Sequence, residues 1–433
     1  MKNIILLIIL FSIKGYSQNI DKLRIDSLIT AIEVNNQDIG SISIFKNNKE
    51  VYSRTFGEIN IKALQKTPDL KYHIGSVSKM ISATLIFKLV DEKEISLNDT
   101  LFSFFPDIPN SKKITIKNLL EHTSGLQNFV IKENNSQWLT EKATQKEIIE
   151  EITKQGVAFQ PGKKVFYSNS AYYLLTKIVE SKYNSSYSTI LEEKIIKPLK
   201  LKNFASFHHH NYNNIAPSYR YENGWKKVKD FYFENVIGVG DIASTMYDTN
   251  VFISQLFAGK IISTISLEKM VPADESFFGR GLIDLSFGGN ILFGHYGDTY
   301  GSHSIVLFDI KNKTAISLVV NGERLSKDDF VYYLLNILYK NKRKQSERQI
   351  DGMHAELYTG TYSSVELPFK LKLSYGDQFL KAEVIGDSSF TLDKIGENKF
   401  EYFPAGIIME FNPSEKKMLM IQRGQKYQFT RDR

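Results

Sequence analysis

The sequence predicts an α+β fold with a small antiparallel β-domain at its C-terminus, and three observations lead there. Strand-like runs lie near both ends of the first 340 residues: Ile42 to Phe45 and Val51 to Phe56 on one side, Ile291 to Gly294, Ser304 to Asp309 and Ala315 to Asn321 on the other. Between them, from about Ile114 to Ile262, the apolar residues recur mostly at helical spacing. Past a basic run the texture changes to short stretches of alternation (Phe369, Leu371, Leu373; Met418, Met420; Tyr427, Phe429), punctuated by Gly376-Asp377, Gly386-Asp387 and Gly396-Glu397. A sheet assembled from both ends of one domain, flanked by helices and interrupted by an inserted helical region, satisfies the first two observations. A small antiparallel barrel or sandwich satisfies the third.

Bulk properties agree with that division. A chain of 433 residues exceeds one ordinary core of about 150 residues and predicts two or three domains. With 42% apolar, 12% aromatic and 24% charged residues, the composition is that of a globular protein. The start reads Met1-Lys2-Asn3, an apolar run from Ile4 to Ile13, then Lys14 to Gln18. This is the pattern of a secretory signal, and its apolar run falls short of the roughly 20 residues a spanning helix needs. Export to the periplasm or the exterior is therefore expected, with no stable membrane anchor. The absence of cysteine excludes disulfides, a lipid-anchoring cysteine, thiol nucleophiles and thiolate metal sites.

The formal charge is +7, two units of which come from Lys2 and Lys14 of the signal. The densest basic stretch, Lys340 to Arg348, reads as a solvated linker, because no nucleic-acid recognition motif accompanies it. The expected organisation is a signal over 1–18, a catalytic domain over 19–340, a linker over 341–352 and the β-domain over 353–433.

Along the chain, Leu23 to Val34 predicts a helix, and Asn47-Asn48 the turn of a hairpin. A second helix begins at Ser76 and carries an apolar stripe (Met80, Ile81, Leu85, Ile86, Leu89) to Val90. Further helices are expected over Ile116 to Glu121, Gln145 to Lys154 and Ser170 to Lys182, with Phe330 to Tyr339 closing the domain.

The chemistry is concentrated in three short segments. In Ser76-Val77-Ser78-Lys79 an amine stands one helical turn from a hydroxyl, on the same helix face. A serine hydroxyl attacks well only when a neighbouring base takes its proton, and burial of Lys79 would favour the neutral amine that such a base requires. The second segment, Tyr167-Ser168-Asn169, precedes a helix; its phenol can relay protons and its amide can hold a substrate carbonyl. The third, Gly294-His295-Tyr296-Gly297-Asp298, sits at a strand end. There Gly297 lets the backbone approach a ligand closely, and the N–H of Asp298 can complete an oxyanion hole with that of Ser76.

These three pieces, in this order, resemble the signature of the serine β-lactamase and penicillin-binding-protein superfamily: S-x-x-K, then Y-x-N, then K-T-G or H-x-G. Tyr72-His73-Ile74-Gly75 before the serine and Ile116 to Leu126, with its Leu-Leu-Glu-His-Thr-Ser-Gly-Leu core, add to the resemblance, which spans about residues 25 to 340. It implies a β-lactamase-like fold and an acyl-enzyme on Ser76, with Lys79 and Tyr167 sharing the proton transfers and Asn169 orienting substrate. His295 would line the opposite wall of the cleft beside Tyr296 and Gly297, and no metal or organic cofactor is required.

His295 and Tyr296 replace the cation and hydroxyl of Lys-Thr-Gly, which resembles the D-alanyl-D-alanine carboxypeptidase, D-aminopeptidase and esterase branch. A D-amino-acid peptide, a peptidoglycan-derived fragment or a short acyl ester is the implied substrate. A true β-lactamase or DD-carboxypeptidase is one alternative, and a non-catalytic envelope-binding protein on the same fold is another. The C-terminal segment, with Tyr358 to Tyr362 and Pro404-Ala405-Gly406, resembles the lipocalin-like β-barrel appended to such hydrolases. His208-His209-His210 is not read as a metal site, since adjacent side chains diverge and no ligand at chelating spacing joins them.

Overall fold

The computed structural model describes residues 20–57, 69–132, 138–273, 276–324, 327–339, 355–376, 379–385, 389–402, 407–422 and 425–432. The signal, the Lys340 to Arg348 run, the 341–352 linker, Gly386-Asp387 and Pro404-Ala405-Gly406 lie outside these residues.

The central sheet joins the two ends of the catalytic unit. Strands β1 (Ile39–Lys46) and β2 (Lys49–Phe56) form a hairpin whose turn residues Asn47 and Asn48 have φ of 51° and 61°. Asparagine tolerates this left-handed region, which a two-residue hairpin turn demands. β8 (Ile283–Asp284), β9 (Leu292–Asp298), β10 (His303–Asp309) and β11 (Thr314–Glu323) complete an antiparallel order β2-β1-β11-β10-β9-β8. β1 and β11 pair along their whole length, from Gly40 opposite Val320 to Lys46 opposite Thr314. A small hairpin of β5 (Tyr219–Tyr221) and β6 (Trp225–Lys227) extends the sheet, β5 running parallel to the end of β11.

Both faces of the sheet are covered, so β11 is buried along nearly its whole length. Alternate residues serve opposite sides. Ile316, Leu318 and Val320 join a cluster with Ile25 and Ile29 of α1 (Lys22–Val34) and Phe330 and Leu334 of α10 (Lys327–Tyr339). Ala315 and Val319 face the helical block. There Ser317 donates to Asn250 of α8 (Met246–Phe257) at 2.7 Å, and Asn250 donates to the Ser43 carbonyl at 2.8 Å, so the polar groups between helix and sheet are paired.

The helical block is built around α2 (Ser78–Asp91), buried from Ser78 through Phe87 and packed on α5 (Asn169–Tyr183). A helix enclosed on all sides is a core element. Around it lie α3 (Ile116–Leu120), α4 (Gln145–Gln155), α6 (Tyr187–Leu191), α7 (Lys197–Leu199) and α9 (Thr264–Met270). Capping boxes at Thr115/Asn118 and Thr144/Glu147 start α3 and α4 where the sequence reading places them. A second sheet of two-residue strands, β3 (Tyr72–His73), β7 (Ala243–Ser244) and β4 (Phe204–Ala205), was not anticipated, because two residues hold no readable period.

The C-terminal residues form an up-and-down antiparallel barrel of β12 (Gly360–Ser363), β13 (Lys370–Gly376), β14 (Phe379–Val384), β15 (Ser389–Gly396), β16 (Lys399–Tyr402), β17 (Ile407–Asn412), β18 (Lys417–Gln422) and β19 (Gln425–Arg431). Short pairing of Tyr362 and Ser363 with Arg431 and Thr430 closes it. Alternate side chains, among them Leu373, Leu392, Met409, Met418 and Phe429, are buried and fill the interior, as an eight-stranded barrel allows. The barrel is fastened to the catalytic unit by the Tyr402 hydroxyl bonded to Asp328 of α10 and by Phe369 stacked on Phe166 at 6.1 Å between ring centroids.

Candidate active site

Ser76 is placed by a sharp change of direction. β3 leads through Ile74, whose N–H donates to the Ile242 carbonyl at 3.0 Å, into a 3-10 turn over Gly75–Val77 that feeds α2. Gly75 has φ +50°, and a Cβ there would lie 2.7 Å from the Asp298 nitrogen. Only glycine meets both the conformational and the spatial demand.

On the first turn of α2, Lys79 is completely buried, and its Nζ donates to Ser76 Oγ at 2.8 Å and to the Val239 carbonyl at 3.1 Å. The ammonium nitrogen also lies 5.0 Å from the centroid of the Tyr167 ring. Two residues after Val239, buried Asp241 ties down the same loop, accepting from Gly238 N at 2.6 Å, Phe207 N at 3.0 Å and the Ser206 hydroxyl. Burial pushes the Asp241 carboxyl up to about 6 against the pull of those donors. No local pattern ties Asp241 to Lys79, so the sequence reading passed over it.

Tyr167 and Asn169 sit at the start of α5. Ser168 caps that helix by accepting from Ala171 N at 3.3 Å, while Asn169 N donates to Asn128 Oδ1 at 3.2 Å. His122, at φ +57° and buried, accepts from Ser168 N at its Nδ1 at 3.1 Å and stacks against Tyr167 with 4.4 Å between centroids. Burial first, then the positive Lys79 and the nearby His295, hold its pKa well below the ordinary imidazole value. A neutral ring that accepts at Nδ1 carries its proton on Nε2.

The third segment occupies the last five residues of β9, so the strand runs to Asp298 rather than ending at Gly294. Two glycines lower strand propensity, and here they mark close backbone approach. A Cβ on Gly297 would fall 2.1 Å from the Ile74 carbonyl oxygen and 2.7 Å from Ser76 N. What approaches Gly297 is therefore the backbone of the serine turn, where the sequence reading expected a ligand. The result sets the Asp298 and Ser76 backbones side by side.

Strand alternation also corrects the expected orientation of His295. His295 and Gly297 face the serine turn, whereas Tyr296 and Asp298 face the cleft. The His295 ring is buried behind the cleft wall, 6.5 Å from that of Tyr167, with Nδ1–H bonded to the Tyr296 carbonyl. Burial, reinforced by the charge of Lys79, pushes its pKa down to about 3, so the ring is neutral.

A buried ion network beside the serine went unread in the sequence. The Asp298 carboxylate receives Lys327 Nζ at 3.1 Å and His303 Nδ1 at 2.8 Å, and His303 Nε2 lies 3.2 Å from Glu323. Burial alone would raise the Asp298 carboxyl; Lys327 and His303 hold it far below its usual range. Burial likewise opposes the charge on Lys327 and His303, yet Asp298 and Glu323 raise both. His303 stands directly opposite Asp298 in the β9–β10 register, which an extended β9 would have made visible.

Ser76, Tyr167, Asn169, Tyr296, Asp298 and Lys327 all border one cavity of ≈580 Å³. Among the described residues, no cluster of three or more His, Asp or Glu side chains is arranged to hold a metal. His208 and His209 instead pair with Glu234 at 3.0 Å and Glu192 at 2.9 Å. Nor, among those residues, is any helix long and apolar enough to cross a membrane.

Residues 35–338 match the family described as Beta-lactamase. The chain belongs to the beta-lactamase family. Within this family it is 28% identical to the putative penicillin-binding protein PbpX of Bacillus subtilis over 306 residues, 69% of this chain and 75% of that protein. It is 27% identical to a teichoic acid D-alanine hydrolase of Staphylococcus aureus over 316 residues, 70% and 75% of the two chains. The octameric penicillin-binding protein homologue from Pyrococcus abyssi shares its fold with a TM-score of 0.68 at 22% identity, covering 94% of this chain and 99% of that one. That coverage extends past the family match into the barrel. The protein is thus a serine hydrolase of the β-lactamase and penicillin-binding-protein superfamily, with a C-terminal antiparallel barrel.

Proposed function

We propose that this serine hydrolase works through an acyl-enzyme on Ser76 and cleaves the amide or ester of a D-amino-acyl substrate or a short acyl ester. The observation that carries the reading is the buried Lys79 amine 2.8 Å from Ser76 Oγ. At that separation Lys79, once it has given up one proton, accepts the hydroxyl proton as Oγ attacks the acyl carbon. The adjoining N–H groups of Ser76 and Asp298 receive the developing oxyanion. Tyr167, whose ring centroid lies 5.0 Å from Lys79 Nζ, relays the proton to the leaving group, and Asn169 on the same cavity orients the substrate. Water then attacks the ester of Ser76 and regenerates the hydroxyl.

Two features favour D-amino-acyl groups or simple esters over β-lactams and peptides with a terminal carboxylate. The residue standing in place of the Lys-Thr-Gly cation is the neutral, buried His295, and Lys327, an ammonium bordering the cavity, is already paired with Asp298. Relatives named for hydrolysing D-alanine from teichoic acid point the same way. Comparing turnover of D-alanine esters and amides, a D-alanyl-D-alanine peptide, a chromogenic cephalosporin and acetyl esters tests the choice. Preference for the cephalosporin or the dipeptide would reject it. Export belongs to the same proposal, resting on the Met1 to Gln18 pattern. Sequencing the N-terminus of the protein recovered outside the cytoplasm checks it, and an intact Met1 there counts against cleavage.

A further inference from the structure

The cavity that holds Ser76 does not end in the catalytic unit. Its far wall is the rim of the barrel, where Leu371, Val384, Phe390, Ile407, Met420 and Tyr427 border the same space as the nucleophile. These six belong to the inward-facing series of their strands. Leu371 pairs with Val384 across β13 and β14, Met420 with Tyr427 across β18 and β19, and each is followed deeper in the barrel by another inward apolar residue.

The deeper layer is shut. Leu373, Leu392, Met409, Met418 and Phe429 are buried to within 2% and pack on one another, so the barrel is no channel. It forms a shallow apolar cup, closed below and open toward Ser76. Were the barrel only a plug, its rim would pack directly against the catalytic unit. Instead the rim bounds open volume of the size that small-molecule sites have, with these six apolar side chains on the barrel side and polar groups, among them Lys381, Thr391 and Gln422, around them.

We infer that the barrel rim is a substrate subsite for an apolar chain, so that the substrate is an amphiphile whose scissile ester or amide lies at Ser76 and whose hydrocarbon part lies in the cup. This rests on the acyl-enzyme reading for the reaction but not for the binding. Each methylene buried against the six apolar rim side chains is worth about a fourfold gain in binding or in kcat/KM. The chain can sit on either side of the scissile bond. Two series distinguish these: p-nitrophenyl esters from acetyl to octanoyl, and D-alanine alkyl esters from methyl to octyl.

The full-length mature protein is expected to show kcat/KM rising about fourfold per methylene over several carbons in at least one series. Val384→Thr and Met420→Gln should flatten that slope, lowering kcat/KM for the octyl or octanoyl ester far more than for the shortest one, with melting curves confirming that each variant is folded at the assay temperature. Either variant alone suffices if the other fails to fold. In parallel, calorimetric titration of Ser76→Ala with n-alcohols from ethanol to octanol reads the cup without turnover, with affinity rising with chain length and the rise lost in the rim variants. Flat alcohol binding, or a slope that both folded variants preserve, overturns the subsite. Chain-length-dependent binding in a protein that turns over no ester and forms no Ser76 adduct upholds the subsite and rejects the acyl-enzyme reading instead.

Discussion

Removing the Asp298 carboxylate should destabilise the protein through the charges it leaves behind. In Asp298→Ala the backbone N–H beside Ser76 remains, but Lys327, whose side chain is 8% exposed, and His303 lose their shared acceptor. Breaking a buried pair costs about 3–5 kcal/mol. The lower end applies, because Asp298 keeps 19% of its side chain on the cavity and Glu323 and Asp328 still face the ammonium. A loss of about 3 kcal/mol corresponds to at most about 6–12 °C in melting temperature. Lys327→Met in the same chain removes the stranded charge, so the double variant should recover much of the loss, with a coupling of about 2 kcal/mol.

The pH dependence follows from the depressed Asp298 pKa. Its contribution is complete above the unfolded carboxyl value near 4 and disappears as pH falls through the lower folded value. The gap between wild type and Asp298→Ala should therefore hold from neutral pH down to about 4 and narrow below it. Thermal melts of the four proteins of the cycle across pH measure both. A single variant melting within a degree or two of wild type, or a double variant equal to the sum of the singles, refutes the reasoning.

Three further outcomes are expected. Lys79→Ala should lower kcat/KM for a good ester by about 10²–10⁴-fold, the range of a lost proton-transfer group, and an unchanged rate would remove Lys79 from the mechanism. Gly297→Ala drives a methyl against the Ile74 carbonyl and Ser76 N, so it should cost about 1–3 kcal/mol and depress activity by parting β9 from the serine turn; full activity would mean that the turn is not held by this contact. Because the His295 pKa is pushed down to about 3 by burial, the ring stays neutral, with its single proton on Nδ1, between pH 5 and 8. His295→Gln should thus leave the shape of the kcat/KM pH profile intact, and loss of an acid limb near 6 in that variant would show that the imidazole titrates.

What was legible in the sequence was whatever is local. Ser76 and Lys79 share one helix turn, and Ser168 announces the start of α5, so spacing alone places them. The sheet strands were readable because β1, β10 and β11 carry long β-branched and apolar runs. What escaped needs knowledge of the third dimension. The side on which His295 lies depends on β9 extending through two glycines to Asp298, and ending the strand at Gly294 lost both that alternation and the cross-strand His303. Lys327 lies 29 residues beyond Asp298, at the start of a helix whose apolar stripe says nothing of its charged end. The barrel rim reads as ordinary alternation, and only its placement over Ser76 turns it into a cavity wall.

The central claim is that Ser76 becomes acylated, and covalent labelling tests it most directly. Incubating the purified protein with a fluorophosphonate, then digesting it and weighing the peptides, should place one adduct on the peptide containing Ser76 and abolish ester hydrolysis in proportion. Active protein that carries the label on another residue, or that is fully inhibited without modification of Ser76, contradicts the account.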